Sequence, residues 1–576
     1  MSNLLELSWR LLKGGGRRGL LGSSLMIAAV AVSTALLIFA VVVNFAFDGR
    51  AERGAWHNPV PAGNTAGAPA GTARAVEAVR TEFVRGRPVT VVDVAVLVKD
   101  VPPPPGLSRL PGPGELVMSP ALAALAREPA VGALLPGKVV GTIGDEGLVH
   151  PGELVAVAGH APGDPAVNGE WKGDYRLGVS ATKVAGFEGR PTSSANGYRA
   201  LALLASVFMV VPLLVFGGAA ARLTVARRDQ RLASLRLVGA TPGQVVAMTV
   251  AEAFITAFGG AVLGLVLYAV AIPPLSRVEI TGGTWFASDM WPGVLPIAAV
   301  LVAVPLLVGL SAVVGLRRVV VSPLGVARRE TPPAMRFVRV VVMLGTLAVV
   351  PTIGLGAGAG TIAVVLALAF LALNLVGPWV VGVIGRVTAR TAKGPGRLLA
   401  GRRLVDDPRS AWRTVSGVAL TGFVAGFIGL LTPSSSLAVK GDVATAWLLQ
   451  DIRTGTVIVL AVSFLVAIAS AGITAASSIL DRRQNYALLR LAGTPLEVLD
   501  RARRLETLIP LTVMGGGSIA TGMFCAAPFA RFAMSSTGVL TLLGCVVAGF
   551  AGVIGAGALS RPLLRSVTTD PAPRPD

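Results

Sequence analysis

Nine stretches of 22 to 46 residues in this 576-residue chain contain no Lys, Arg, Asp or Glu. They are Gly19–Phe47, Ala200–Ala221, Ala253–Ser276, Met290–Leu316, Val340–Gly385, Thr414–Val439, Thr454–Leu480, Thr507–Ala530 and Phe532–Ser560. A helix crosses a bilayer with about 20 apolar residues, and a charge at its centre costs roughly 2.5–3.5 kcal/mol on insertion scales. Charge-free runs of this length therefore mark membrane spans. The fifth run, 46 residues long, would measure about 69 Å as one helix, against a hydrocarbon core of about 30 Å. Its "PTIGLGAGAGT" from Pro351 concentrates helix breakers, so it reads as two helices around a tight turn. Ten transmembrane helices result. The first run is about twice the length of a signal-peptide core and closes with no A-x-A site, so it reads as a retained helix. Only 14% of the chain is charged, against about 25% in soluble proteins.

Basic residues set the expected orientation. With the N-terminus inside, the inner segments hold 32 Lys/Arg, while the three short outer loops hold Arg277, Lys440, Arg453 and Arg531. That bias places both termini in the cytoplasm. Residues 48–198 carry 14 basic and 15 acidic residues, so the net charge of +20 belongs to the cytoplasmic face. Lipid headgroups and a cytoplasmic partner account for it without nucleic acid. Cys525 and Cys545 lie in apolar runs and read as small hydrophobes; His57, His150 and His160 have no metal-ligand spacing. No metal site is expected.

Asp48–Tyr198 is the one segment long enough for a folded extramembrane domain. "PVPAGNTAGAPAGTARA" reads as a flexible lead-in, and "VTVVDVAVLV" from Val89, "GKVVGTIGD" and "GELVAVAG" as strands. "SPALAALAR" from Ser119 begins a helix with a capping serine and Pro at the first turn. A small α+β domain follows, with no nucleophile–base–orienter constellation and hence no catalytic residue.

A short basic motif occurs twice. "RRDQRLASLRLVGA" from Arg227 and "DRRQNYALLRLAGT" from Asp481 align without gaps at an offset of 254 residues. Arg228, Gln230, Ala233, Leu235, Arg236, Leu237 and Gly239 match Arg482, Gln484, Ala487, Leu489, Arg490, Leu491 and Gly493. The same offset carries Glu252 onto Glu506, each near the inner start of the next helix. Upstream, "LLELSWRLLKGGGRRGLL" and "RLLAGRRLVDDPRSAW" open each half with a basic amphipathic piece. The plan is a duplication: four helices, a linker pair, four helices. Taken alone, each motif fits an amphipathic helix lying on anionic lipid.

The pattern R-x-x-x-x-A-x-L-R-x-x-G, placed between the second and third helices of a four-helix unit, resembles the FtsX-like permease family, the membrane subunits of MacB/FtsX/LolC-type ABC systems. The glycine-rich "FGGAVLG" after Glu252 and "GGGSIATG" after Glu506 resemble that family's third helix. The resemblance implies a coupling helix at 226–240 and another at 480–494, docking on ATPase subunits through Arg228, Arg231, Leu235, Arg236 and Gly239, and through Arg482, Tyr486, Leu489, Arg490 and Gly493. Arg236 and Arg490 are the foremost contact candidates. Where the family often carries an acidic residue five positions before the arginine, this chain has Arg231 and Asn485.

No G-x-x-x-x-G-K-[ST] occurs, so ATP and Mg belong to a separate chain and this chain carries no cofactor. The resemblance implies two copies of a P-loop ABC ATPase as partners, beside membrane lipids and an extracytoplasmic protein, in a bacterial cytoplasmic membrane. Expected segments are 1–47 (amphipathic piece and first helix), 48–198 (outer domain), 199–316 (helices two to four), 317–394 (linker and helices five and six) and 395–576 (second module). The expected function is ATP-driven export of amphipathic cargo such as peptide, lipid or lipoprotein, or conformational work outside the membrane. The alternatives are a non-transporting mechanotransmitter or sensor acting on cell-wall enzymes or antibiotic response and, behind it, an ion-coupled transporter. Against the last, no pair of carboxylates lies within the helices. Asn374 and Pro305, Pro378 and Pro510 are candidates for a path or hinges, with ordinary packing as the competing reading.

Overall fold

A computed structural model of the chain describes residues 16–64, 73–132, 135–169, 178–213, 241–321, 335–349, 358–431, 443–481, 493–527 and 536–559. It divides into two compact units: a helical unit, Met1–Val41 with Leu203–Val270 and Gly293–Asp576, and a sheet unit, Val42–Ala202 with Ala271–Pro292.

The long helices are α1 (Gly16–Arg53), α2 (Ser193–Leu213), α3 (Pro242–Ser276), α4 (Val294–Val321), α5 (Met335–Val349), α6 (Ala359–Arg390), α7 (Pro395–Asp406), α8 (Pro408–Leu431), α9 (Val443–Asp481), α10 (Leu496–Ala526) and α11 (Ser536–Leu559). Among the described residues, eight of them contain segments long and apolar enough to cross a membrane: Met26–Arg53, Ser193–Leu213, Val246–Ser276, Ala287–Val313, Ala359–Arg390, Pro408–Leu430, Gln450–Gly472 and Glu497–Ala526. Helices α5 and α11 occupy the other two places where the charge-free runs predict spans but are not among the eight. The two glutamates of the repeat hold equivalent positions: α3 begins at Pro242 and α10 at Leu496, the same 254-residue spacing as the sequence repeat.

Small residues set the closest helix contacts, as expected where lipid leaves packing rather than hydrophobicity to join helices. A Cβ on Gly264 of α3 would collide with the Ala31 carbonyl and Thr34 of α1, and one on Gly522 of α10 with the Phe423 carbonyl of α8. Phe208 of α2, Phe370 of α6 and Phe423 and Phe427 of α8 form an aromatic centre, with Phe370 and Phe423 centroids 4.9 Å apart. Asn374 is satisfied inside the helices, its Oδ1 accepting from Trp412 Nε1 at 2.9 Å. Pro305, Pro378 and Pro510 sit within α4, α6 and α10.

In the sheet unit, β1 (Ala75–Val84), β2 (Arg87–Val96), β3 (Glu115–Met118), β4 (Lys138–Thr142), β5 (Val155–Gly159) and β6 (Gly178–Val184) form one mixed sheet in the order β4-β3-β5-β2-β1-β6. Strands β2, β4 and β5 lie in the stretches read as strands from sequence; β1, β3 and β6 are additional. Arg85 and Gly86, both at positive φ, close the β1–β2 hairpin. The helix Pro120–Leu125 starts as its sequence predicts, with Ser119 Oγ accepting from Leu122 N at 3.3 Å. It covers part of the sheet through Leu122, which packs with Val91, Met118 and Ala156. A second core, which includes Val79, Val92, Val117 and Val157, is completed from outside the sheet by Trp56 and Phe286. Phe286 belongs to the loop between α3 and α4, so this unit extends beyond the 48–198 segment expected from sequence to include Ala271–Pro292.

Candidate functional site

Of the twelve residues singled out by the repeat, Arg228, Arg231, Leu235, Arg236, Gly239, Arg482, Tyr486, Leu489 and Arg490 lie outside the described residues. Gly493 is described. It sits at φ +84° in the turn ahead of α10, a left-handed conformation that favours glycine and suits a helix end. Glu252 and Glu506 are each the eleventh residue of α3 and α10. They stand in corresponding places in the two modules, on the helices that follow the repeated motifs.

In the second module, Glu506 is tied to the basic amphipathic piece noted in the sequence, which is α7. Arg403 Nη1 of α7 lies 3.5 Å from Glu506 Oε2, with both side chains largely buried. Helix α7 turns Gly396, Ala400, Gly401 and Leu404 inward. Gly401 rests against Ala389 of α6, and Gly396 faces Arg501 of α10. On α10, Asp500 pairs with Arg503 at 3.3 Å and with Arg504 at 2.6 Å.

The best-defined polar constellation lies in the sheet unit, where the last turns of α1 meet the α3–α4 loop. Arg50 is only 4% exposed. Its Nη1 donates to Ile280 O and Thr281 Oγ1, each at 2.7 Å, and its Nη2 to the carbonyls of Gly283 and Thr284. Its guanidinium carbon stacks 3.4 Å from the Trp285 ring centroid. A planar cation with several fixed donors is suited to this combination of bonding and stacking. One turn later, Arg53 donates from Nε to Leu148 O at 2.9 Å and from Nη2 to Asp289 Oδ2 at 2.8 Å. Trp56 follows, its Nε1 donating to Gly147 O at 3.1 Å. Three side chains at successive turns thereby clasp the α3–α4 loop and the Gly147–Leu148 turn.

Neighbouring titratable groups adjust to burial. It lowers His57 to about 4; His150 is also lowered to about 4, by burial and then by the charges of Arg50 and Arg87. Burial raises Glu153 to about 7, against the opposing pull of the Val149 N–H and of Arg50 and Arg53. His57 Nδ1 lies 3.9 Å from Glu153 Oε1, but with a neutral imidazole at pH 7 this is no ion pair. A further polar chain in the unit runs Arg80–Asp93–His160–Asp164, with links of 2.9, 2.9 and 3.0 Å. Burial depresses His160, but its bonds to Asp164 and Asp93 outweigh this and raise it. Among the described residues, no group of three or more His, Cys, Asp or Glu could hold a metal ion.

The clasp escaped sequence reading because its halves are some 230 residues apart. Two signals were present. Arg50 and Arg53 lie three apart on one helical face, and "TGGTWFASDMW" is unusually aromatic for a loop between membrane helices.

Comparison with known proteins matches residues 202–322 to the family described as FtsX-like permease C-terminal. No curated protein and no solved structure matches the chain. The matched span runs from within α2 through α4 and takes in the first copy of the repeated motif. Over residues 202–322 the chain is similar to the FtsX-like permease family, a likeness that supports an ABC-transporter-type membrane permease at family level.

Proposed function

We propose that this chain is the membrane subunit of an ATP-driven complex in which two copies of a separate P-loop ATPase dock on the segments 226–240 and 480–494. The observation that carries the reading is the family match over residues 202–322, joined to the recurrence of its basic motif 254 residues later. Ten spans, with both termini cytoplasmic, put these segments on the cytoplasmic side and the sheet unit outside. ATPase closure then pushes on α3 and α10 at their first turns. Because α1 and α3 each continue into residues of the sheet unit, movement of either helix bears on the clasp of Arg50 and Arg53. The output is conformational work on the outer domain, serving export of amphipathic cargo. A second reading, a mechanotransmitter that moves no cargo, draws support from the same clasp, since it needs only a stiff link to the domain.

The test is Arg50→Gln in the assembled complex, followed by hydrogen exchange in strands β1–β6 with and without nucleotide. The expected variant binds the ATPase and hydrolyses ATP, while the nucleotide-dependent change in the sheet is lost. A full-sized change in the variant would remove the clasp from the relay.

A further inference from the structure

The face of α7 turned away from its neighbours is unexplained by ATPase docking. Leu398, Arg402 and Val405, at i, i+4 and i+7, share it; Leu398 is 45% and Val405 37% exposed. Helix α7 is short, 12 residues, about 18 Å. It is held between two membrane-length helices by connections of four residues after α6 and one before α8. Those tethers keep it at the level where α6 and α8 leave the membrane. Arg386, Arg390, Lys393, Arg397, Arg402 and Arg409 are all exposed around it. From Arg386 to Arg413 the sequence has eight Lys/Arg and two acidic residues, Asp406 and Asp407.

We propose that α7 is a docking surface for anionic phospholipid, with Leu398 and Val405 seated among the acyl-chain boundary and the surrounding arginines on headgroup phosphates. Three observations commit the surface to lipid. The tethers fix its depth, the excess of basic residues is complementary to an anionic leaflet, and the two exposed aliphatic residues sit on the same face as Arg402, as in helices that lie in the interface. The opposite face is occupied by α6 and α10, and Arg403 is engaged with Glu506. Lipid on one face and Glu506 on the other would make α7 the fixed support against which α10 moves. The docking itself requires only that α6 and α8 cross a membrane, so it stands apart from the ATPase reading.

The test uses the full chain with Cys525→Ala, Cys545→Ala and Leu398→Cys, carrying an environment-sensitive fluorophore at position 398. It is reconstituted in phosphatidylcholine vesicles with or without phosphatidylglycerol, each containing a spin-labelled quenching lipid. The expected result is strong quenching by lipid when phosphatidylglycerol is present. The variant Arg397→Gln/Arg402→Gln/Arg409→Gln should weaken the preference for phosphatidylglycerol about fivefold for each arginine neutralised. The corresponding triple lysine variant should retain it, separating charge from a folding defect. Equal quenching by aqueous iodide in both vesicle types would overturn the proposal. So would a probe that is shielded only when the ATPase is added, which would assign the face to protein.

Discussion

Arg50 spends its charge on oxygens of one loop and on the face of Trp285, so no smaller or differently shaped cation can replace it. Arg50→Lys keeps the charge but loses the planar fork. Both Arg50→Lys and Arg50→Ala are expected to release Ile280–Trp285, with a loss of roughly 3 kcal/mol for Ala, in the range for breaking several charge-assisted bonds. Hydrogen exchange at Gly283 and Trp285 reads this directly; unchanged protection in the alanine variant would contradict it. Glu77 is a different case. It is 1% exposed on β1, and burial raises its carboxyl from 4.5 to about 8. The folded chain therefore holds a proton that the unfolded chain releases above about 4.5, so stability falls as pH rises through that window and levels off above about 8. Glu77→Gln should reduce that slope, most clearly between about pH 7 and 8, above the range where Glu153 contributes, and be at least as stable at pH 8, measured by thermal unfolding of the full chain. A slope as steep as in the parent would mean that Glu77 is ionised in the fold.

At the scale of elements, glycine spacing separates contact faces from free ones. Gly522 and Gly516 are both in α10, yet a side chain at 522 would strike the Phe423 carbonyl while one at 516 meets nothing within 4 Å. Gly522→Leu is expected to disrupt the α8–α10 contact and sharply reduce monodisperse protein in detergent, whereas Gly516→Leu should be tolerated; size-exclusion profiles of the two variants decide it. The long helices were legible in the sequence because a charge within the bilayer is costly, so each span is delimited by the nearest Arg, Lys, Asp or Glu. Strand β1 was not: "AVEAVRTEFV" places Glu77, Arg80 and Glu82 within ten residues, and its identity as a strand comes from β2 and β6 on either side. Helix α7 was legible as a basic amphipathic piece, but its Arg403–Glu506 link was not, because sequence alone does not pair residues 103 apart. The Arg50 clasp was hidden for the same reason.

For the whole molecule, the duplication is the organising fact. Two copies of one motif, each followed by a helix whose eleventh residue is glutamate, would, on the proposed reading, give a single chain two places to receive the same push. The halves are not equivalent beyond that: the sheet unit is built from the chain between α1 and α2 and from the α3–α4 loop, both in the first module. On the proposed reading, a twofold input feeding a one-sided output would suit conformational work on a single domain better than a symmetric conduit. Whether the input is twofold is decided by native mass spectrometry of the tagged chain, purified gently from its own cells. The account requires one permease carrying two P-loop ATPase subunits, one after Arg236→Glu or Arg490→Glu alone, and none when both are reversed. A chain that emerges without any ATPase, or one whose two-subunit complement survives both reversals, would contradict it and return the repeated motifs to lipid-binding helices.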